Sequence, residues 1–298
     1  MYSTSPIFIV DPLYYNENSL IISSITIFIF SYLFGKLIFK SSLTALFVAS
    51  IKSWVYLVFF LFFFNNHNFN FIDSITYLEN SIFFFENYNF LELFLGWDEI
   101  VKPRAGANIF YYYWSYISFV LFGPYIHSPI ALNILSTFLG SYYIYKISSE
   151  YFDISNKNSI LLSIVYSVHW EVIPWSSFFN LRDILIQVSI LSINYYILKF
   201  VNQINIKNLV KLSIALLILR YLRTHMSYLF ILNLGIIFFC AIIFFKKNIQ
   251  KVNLISFILF TVLVLITFIY GHEIFLKLYK NWSINSNLNY SIKIFKLF

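Results

Sequence analysis

Residues 19–39 read SLIISSITIFIFSYLFGKLIF, and residues 44–64 read TALFVASIKSWVYLVFFLFFF. Each run reaches the roughly 20 apolar residues that a helix needs to cross a bilayer. Lys36 and Lys52 are their only charged residues. The rest of the chain follows them: 60% of residues are hydrophobic and 11% charged, against about 25% charged in soluble domains. Further apolar runs lie at 129–147, 159–176, 184–200, 208–222, 226–245 and 253–271. The expected fold is therefore all-α, a polytopic transmembrane helix bundle of about eight spans forming a single membrane domain over 1–298. No basic residue precedes the first run, while Lys36 and Lys40 end it. It lacks the charged start of a secretory signal peptide and is expected to remain as a span. The single Cys240 excludes an intrachain disulfide and a cysteine metal site.

The polar exception is Asn65 to Arg104, which carries Asp73, Glu79, Glu86, Glu92, Asp98, Glu99, Lys102 and Arg104. Loops of that length are functional or disordered, and this one is too aromatic for disorder. Asn108 to Gly123 follows, apolar but studded with Tyr111, Tyr112, Tyr113, Trp114 and Tyr116. Such amphipathic aromatics belong at headgroup level, so 108–123 is expected to be a juxtamembrane helix closing an outer loop of 65–128. With that helix kept interfacial, one face receives Lys36, Lys40, Lys146, Lys157, Lys199, Lys207, Lys211, Lys246, Lys247 and Lys251. This is the cytoplasmic face by the positive-inside rule. The acidic loop, the junction Trp175 to Asp183, the turn Arg220 to His225 and the tail 272–298 fall outside. The tail's Lys277, Lys280, Lys293 and Lys296 run against the trend and suit anionic headgroups or a phosphorylated ligand. Orientation and lipid contact account for the net charge of +7, so nucleic acid is not an expected partner.

No Gly-rich phosphate loop, His-Glu-x-x-His motif or nucleophile elbow is present. Chemistry has to come from polar residues at the outer surface, in four sets. Asp73 and Tyr77, four residues apart, share a helical face. A carboxylate there can serve a hydroxyl acceptor as general base, or it can cap a helix with a solvated acidic face. Arg182 and Asp183 lie beyond Trp170, Glu171, Pro174 and Trp175. The guanidinium can hold a phosphate while the carboxylate orients an acceptor or a divalent metal. Alternatively Asn180 or Asp183 caps the next helix and Arg182 snorkels. Arg220, Arg223 and His225 put two arginines on the outer face and require an anionic partner, a lipid phosphate or ordinary headgroups. Lys102 and Arg104, in Lys-Pro-Arg, form either a further phosphate clamp or a plain loop surface. His67, His127, His169 and His272 lack ligand spacing and are expected to be structural or surface residues.

A span followed by Asp73-x-x-x-Tyr77, a long outer loop, an aromatic helix ending in Phe122-Gly123 and a span reaching Tyr145-Lys146 resembles the GT-C integral-membrane glycosyltransferases. Relatives in that superfamily are protein O-mannosyltransferases and the aminoarabinose transferases of lipid A. Pro174 followed by Arg182-Asp183, and the turn Leu219-Arg220-Tyr221-Leu222-Arg223, are similar to the family's pattern. The resemblance covers about residues 44 to 245 and leaves an extra span at 19–39. It implies a polyprenyl-phosphate-linked sugar donor and a glycan or lipid acceptor in lipopolysaccharide or O-antigen-like surface-glycan assembly. It also implies a bacterial inner membrane with the active site on the extracytoplasmic face. Asp73 would be the base or acceptor-orienting residue, Asp183 would serve the donor phosphate or a divalent metal, and Arg220 and Arg223 would face the lipid phosphate. A second resemblance, to Wzy-type O-antigen polymerases, rests on the richness in Phe, Tyr and Ile and on outer-loop arginines. A non-enzymatic lipid or solute translocator ranks third, because apart from Lys52 and Cys240 the span centres carry little polar chemistry.

Overall fold

The computed structural model describes residues 15–64, 72–101, 108–202 and 206–223, with Pro103 and Met226 as isolated positions. The spans expected at 226–245 and 253–271 and the tail from His272 lie outside the described residues. The chain divides into two compact units, Met1–Arg223 and Thr224–Phe298. Everything below concerns the first. Among the described residues every regular element is a helix and no strand is present.

Helix α1, Glu17–Phe39, starts where the Asn16 side chain accepts from the Ser19 amide at 3.0 Å and stops where Lys40 turns left-handed at φ 55°. Its 23 residues make a rod of about 34 Å, enough for a hydrocarbon core of about 30 Å. Helix α2, Ser42–Val58, is capped by Ser41 and runs on through a π-helical turn, Phe59–Phe63. With only Lys40 and Ser41 between them, α1 and α2 must fold back as a hairpin. Small residues line the seam: Gly35 lies against Ala45, and the Ser24 and Ser53 hydroxyls meet at 2.8 Å. Small residues let helix backbones approach closely where lipid offers no hydrophobic drive. The other faces stay greasy, with Leu37 76% and Leu43 80% exposed. Exposed apolar surface on that scale belongs against lipid. These two helices are long and apolar enough to cross a membrane, and a third span arises if the bent pair described next counts as one.

The acid-bearing stretch is mostly helical. Helix α3 covers Ile72–Asn87, and α4, Phe90–Leu95, begins with a capping box between Asn89 and Glu92. Helix α5, Ile109–Phe122, then meets α6, His127–Tyr151, at 106°. Gly123 makes the bend at φ 88°, a conformation that costs an L side chain energy. Ser128 and Tyr125 donate to its carbonyl at 2.7 and 2.8 Å. The helix expected over 108–123 forms, but Tyr111, Tyr112 and Tyr116 are buried within the protein.

Helix α7 covers Asn156–Val168, α8 Val172–Ser177, α9 Asp183–Asn202 and α10 Ile206–Leu222. The segment expected to run unbroken over 159–176 is thus interrupted at 169–171. Pro174 is the physical reason: inside a continuous helix its ring would clash with the carbonyl of Trp170, whereas in the first turn of α8 its missing N–H has no partner to lose. Interior polarity is dominated by serines whose hydroxyls bond back to their own helix, as Ser141 does to the Thr137 carbonyl at 3.0 Å. Such back-bonding satisfies a hydroxyl without water.

Charge is sorted between two ends of the helix bundle. At one end Lys40 reaches Tyr145 at 3.0 Å, Lys146 pairs with Glu150 at 2.6 Å, and Lys199 bonds Tyr195 at 3.3 Å. At the opposite end lie Glu17, the start of α3, Asp183 and Arg223.

Replacing Gly123 by Ala should lower stability by about 1–3 kcal/mol, the cost of an unfavourable backbone conformation. The added Cβ would also lie 2.5 Å from the Tyr125 ring. Thermal unfolding of the detergent-solubilised chain checks this, with lipid-facing Leu121→Ala expected to shift the midpoint little.

Candidate functional site

The segment Asn180-Leu181-Arg182-Asp183 leads from α8 into α9 and draws three other helices to it. Asn180 is fully buried. Its side-chain oxygen accepts from the Tyr111 hydroxyl of α5 at 2.5 Å, and its amide nitrogen donates to the Ser74 carbonyl of α3 at 3.2 Å. The Asn180 backbone N–H donates to the Ser74 hydroxyl at 3.0 Å. One residue on, the Leu181 carbonyl accepts from Asn133 of α6 at 2.9 Å, and Asn133 in turn accepts from Trp114 of α5 at 3.0 Å. A buried amide with both ends satisfied is rigid, because breaking any one bond strands a polar group in apolar surroundings.

Arg182 and Asp183 are carried on this anchor. The Arg182 carbonyl accepts the first α9 bond, from Ile186 at 3.1 Å. Its guanidinium lies over the Tyr77 ring, 5.7 Å from the centroid. The Nη1 atom is buried and has no hydrogen-bond partner among the described residues. Arg182 therefore points into the protein rather than snorkelling, and Asn180 is spent on α3 and α5 rather than on capping. Asp183 opens α9 and faces Arg223, just past the end of α10, with Nη1 to Oδ1 at 3.8 Å. Both charges suit their helix ends, an anion at an N-terminus and a cation at a C-terminus. Arg220 sits partly exposed in the last turn of α10.

Three of the four sequence-derived sets thus converge. Asp73 lies in the first turn of α3, the residue before Ser74, so its backbone is fixed beside Asn180. Tyr77, one turn on, is buried against Tyr111 and Tyr112 at ring distances of 5.1 and 5.8 Å, and its hydroxyl accepts from Asn108 at 3.2 Å. Lys102, Arg104 and His225 lie outside the described residues. Of the other loop acids, Glu79, Glu86, Glu92 and Glu99 face solvent, and Glu92 belongs to the α4 capping box.

The Asp183 carboxylate faces the Arg223 guanidinium, so a divalent metal bound there would first have to part this pair. Among the described residues no three His, Cys, Asp or Glu side chains gather as a ligand set.

Two buried groups carried no pattern that the sequence could reveal. The His127 ring stacks on Tyr125 at 5.4 Å, and its Nε2 lies 3.2 Å from the Ser19 hydroxyl. Its carbonyl accepts from Tyr56 at 3.1 Å, so it pins α1, α2 and α6 as a structural histidine. Lys52 is 1% exposed, its Nζ 5.6 Å from the Phe138 centroid and without a hydrogen-bond partner among the described residues. Partners far away in the chain, Ser19 for His127 and Phe138 for Lys52, leave no local signature for either.

No protein-family model, curated protein or solved structure matches this chain.

Asn180→Leu should strand the Tyr111 hydroxyl, at about 1–3 kcal/mol for the orphaned group. Thermal unfolding should show a large loss, and Tyr111→Phe in the same chain should recover part of it. Additive losses would mean that the two side chains do not act together.

Proposed function

We propose that this chain is a membrane-embedded glycosyltransferase that moves a sugar from a polyprenyl-phosphate donor to a glycan or lipid hydroxyl in surface-glycan assembly. The observation that carries the reading is the Ser74–Asn180 connection. It ties the turn bearing Asp73 to the segment bearing Arg182 and Asp183, and Asp183 in turn faces Arg223. An acid and several arginines at one end of an apolar bundle suit a ligand that is greasy at one end and phosphorylated at its head.

In this reading the hydrocarbon lies against the helices, and the phosphate meets Arg223 and Arg220, with Arg182 behind them. The acceptor oxygen attacks the anomeric carbon as the carbon–oxygen bond to phosphate breaks. Asp73 takes the acceptor's proton, and fixed arginines stabilise the charge that develops on the departing phosphate. A single displacement inverts the anomeric centre. The lysine end would face the cytoplasm and the acidic end the outside of a bacterial inner membrane. The chain would cross that membrane in about eight spans.

Asp73→Asn should abolish transfer while the protein still inserts and migrates as a single species, and an active Asp73→Asn chain would remove Asp73 as the base. Arg223→Ala should raise the donor KM about tenfold or more, as expected for a charge-assisted bond worth about 1.5–3 kcal/mol. Lipid-linked glycans from a deletion strain give the cellular readout: an altered or undecorated glycan supports the transferase, whereas single repeat units left on the lipid would mark a repeat-unit polymerase.

A further inference from the structure

Beside Asp183, on the side of α8, lies a cavity of about 330 Å³ lined by Glu171, Trp175, Asp183, Gln187 and isoleucines of α9. Its volume stands at the lower end of the range of about 300–1,000 Å³ for small-molecule sites. Its walls divide by chemistry. Trp175, 41% exposed, and Ile184, Ile186 and Ile190 supply apolar surface, including an accessible indole. Glu171 and Asp183 supply carboxylate acceptors. One Asp183 oxygen faces Arg223, which leaves the other to accept. Gln187 accepts from Tyr166 at 3.2 Å through its amide oxygen. That contact fixes the amide and leaves two N–H donors.

These walls select among ligands. Two carboxylates repel a phosphate, which is drawn instead to the arginines. An aliphatic chain would desolvate the acids with nothing in return. A cation finds Asp183 already balanced by a guanidinium. A molecule with one apolar face and a rim of hydroxyl donors and acceptors satisfies every wall, and a pyranose ring has that form: its axial C–H face lies on indole, and its hydroxyls reach carboxylates and amide.

The geometry points to this cavity as a pyranose-binding subsite, with Trp175 as the platform and Glu171, Asp183 and Gln187 as hydroxyl partners. Its role as the acceptor subsite rests on the transferase reading, since Asp183 stands between it and Arg223. Its ability to bind a sugar does not.

The test uses the full chain in lipid nanodiscs, because sugar-headed detergents would compete. Methyl pyranosides of glucose, mannose, galactose and N-acetylglucosamine are titrated with saturation-transfer NMR as readout. At least one should bind the unaltered chain. Trp175→Ala should weaken it tenfold or more, and Gln187→Met, a substitution at an exposed position that spares the fold, should weaken it severalfold. Leu121→Ala, at an exposed position of α5 outside the cavity lining, should bind as the unaltered chain does. Absence of binding by all four glycosides overturns the assignment, as does equal binding by Trp175→Ala and Gln187→Met, or displacement of the glycoside by tetramethylammonium. Binding without any transfer activity sinks the transferase reading and leaves the subsite standing. Transfer without binding does the reverse.

Discussion

A fully buried carboxamide, Asn180, holds the acidic end of this bundle together. It contacts α3 through Ser74 and α5 through Tyr111, and the adjoining Leu181 carbonyl contacts α6 through Asn133. In apolar surroundings none of these groups has water as an alternative partner, so each holds the others in place. The consequence reaches beyond stability. The starts of α3, α5 and α9 cannot move independently, and the residues carried on them keep fixed spacings. A site assembled on such a frame is preorganised, the condition under which charged groups stabilise developing charge most effectively.

Helices α1 and α2 were legible in the sequence because they combine clear caps with the length and apolarity to cross a membrane. The helix at 108–123 was legible too, but its orientation was not. Tyrosine carries an apolar ring and a polar tip, so a tyrosine-rich face suits a headgroup layer and a hydrogen-bonded interior equally well. Which applies depends on partners such as Asn180, far away in the chain. The break at 169–171 had a signal in Pro174, yet only the start of α8 shows that the proline sits in a first turn. The stretch 65–104 looked like loop because its acids are spaced for solvation, and α3 and α4 expose Glu79, Glu86 and Glu92 while burying Leu78, Ile82 and Leu93.

The site divides similarly. Two arginines against the positive-inside trend called for an anion, and Asp183 is one such anion, 3.8 Å from Arg223. That pairing was invisible in the sequence because 40 positions separate the residues. The cavity beside Glu171 and Trp175 was invisible for another reason: a cavity arises where two helices diverge, and no residue type encodes divergence.

Asp183 and Arg223 also show how the two ends of a reaction could be kept apart. Both side chains are about a third exposed or more, 43% and 34%, and exposed ion pairs are worth only about 0–1 kcal/mol. A phosphate can form two parallel bonds to a guanidinium, a stronger arrangement than a single contact at this distance. A phosphorylated ligand would therefore draw Arg223 toward itself at little cost and leave Asp183 free for a neutral partner in the adjoining cavity. In the proposed transferase, the weakness of the pair would let its two members serve two ligands.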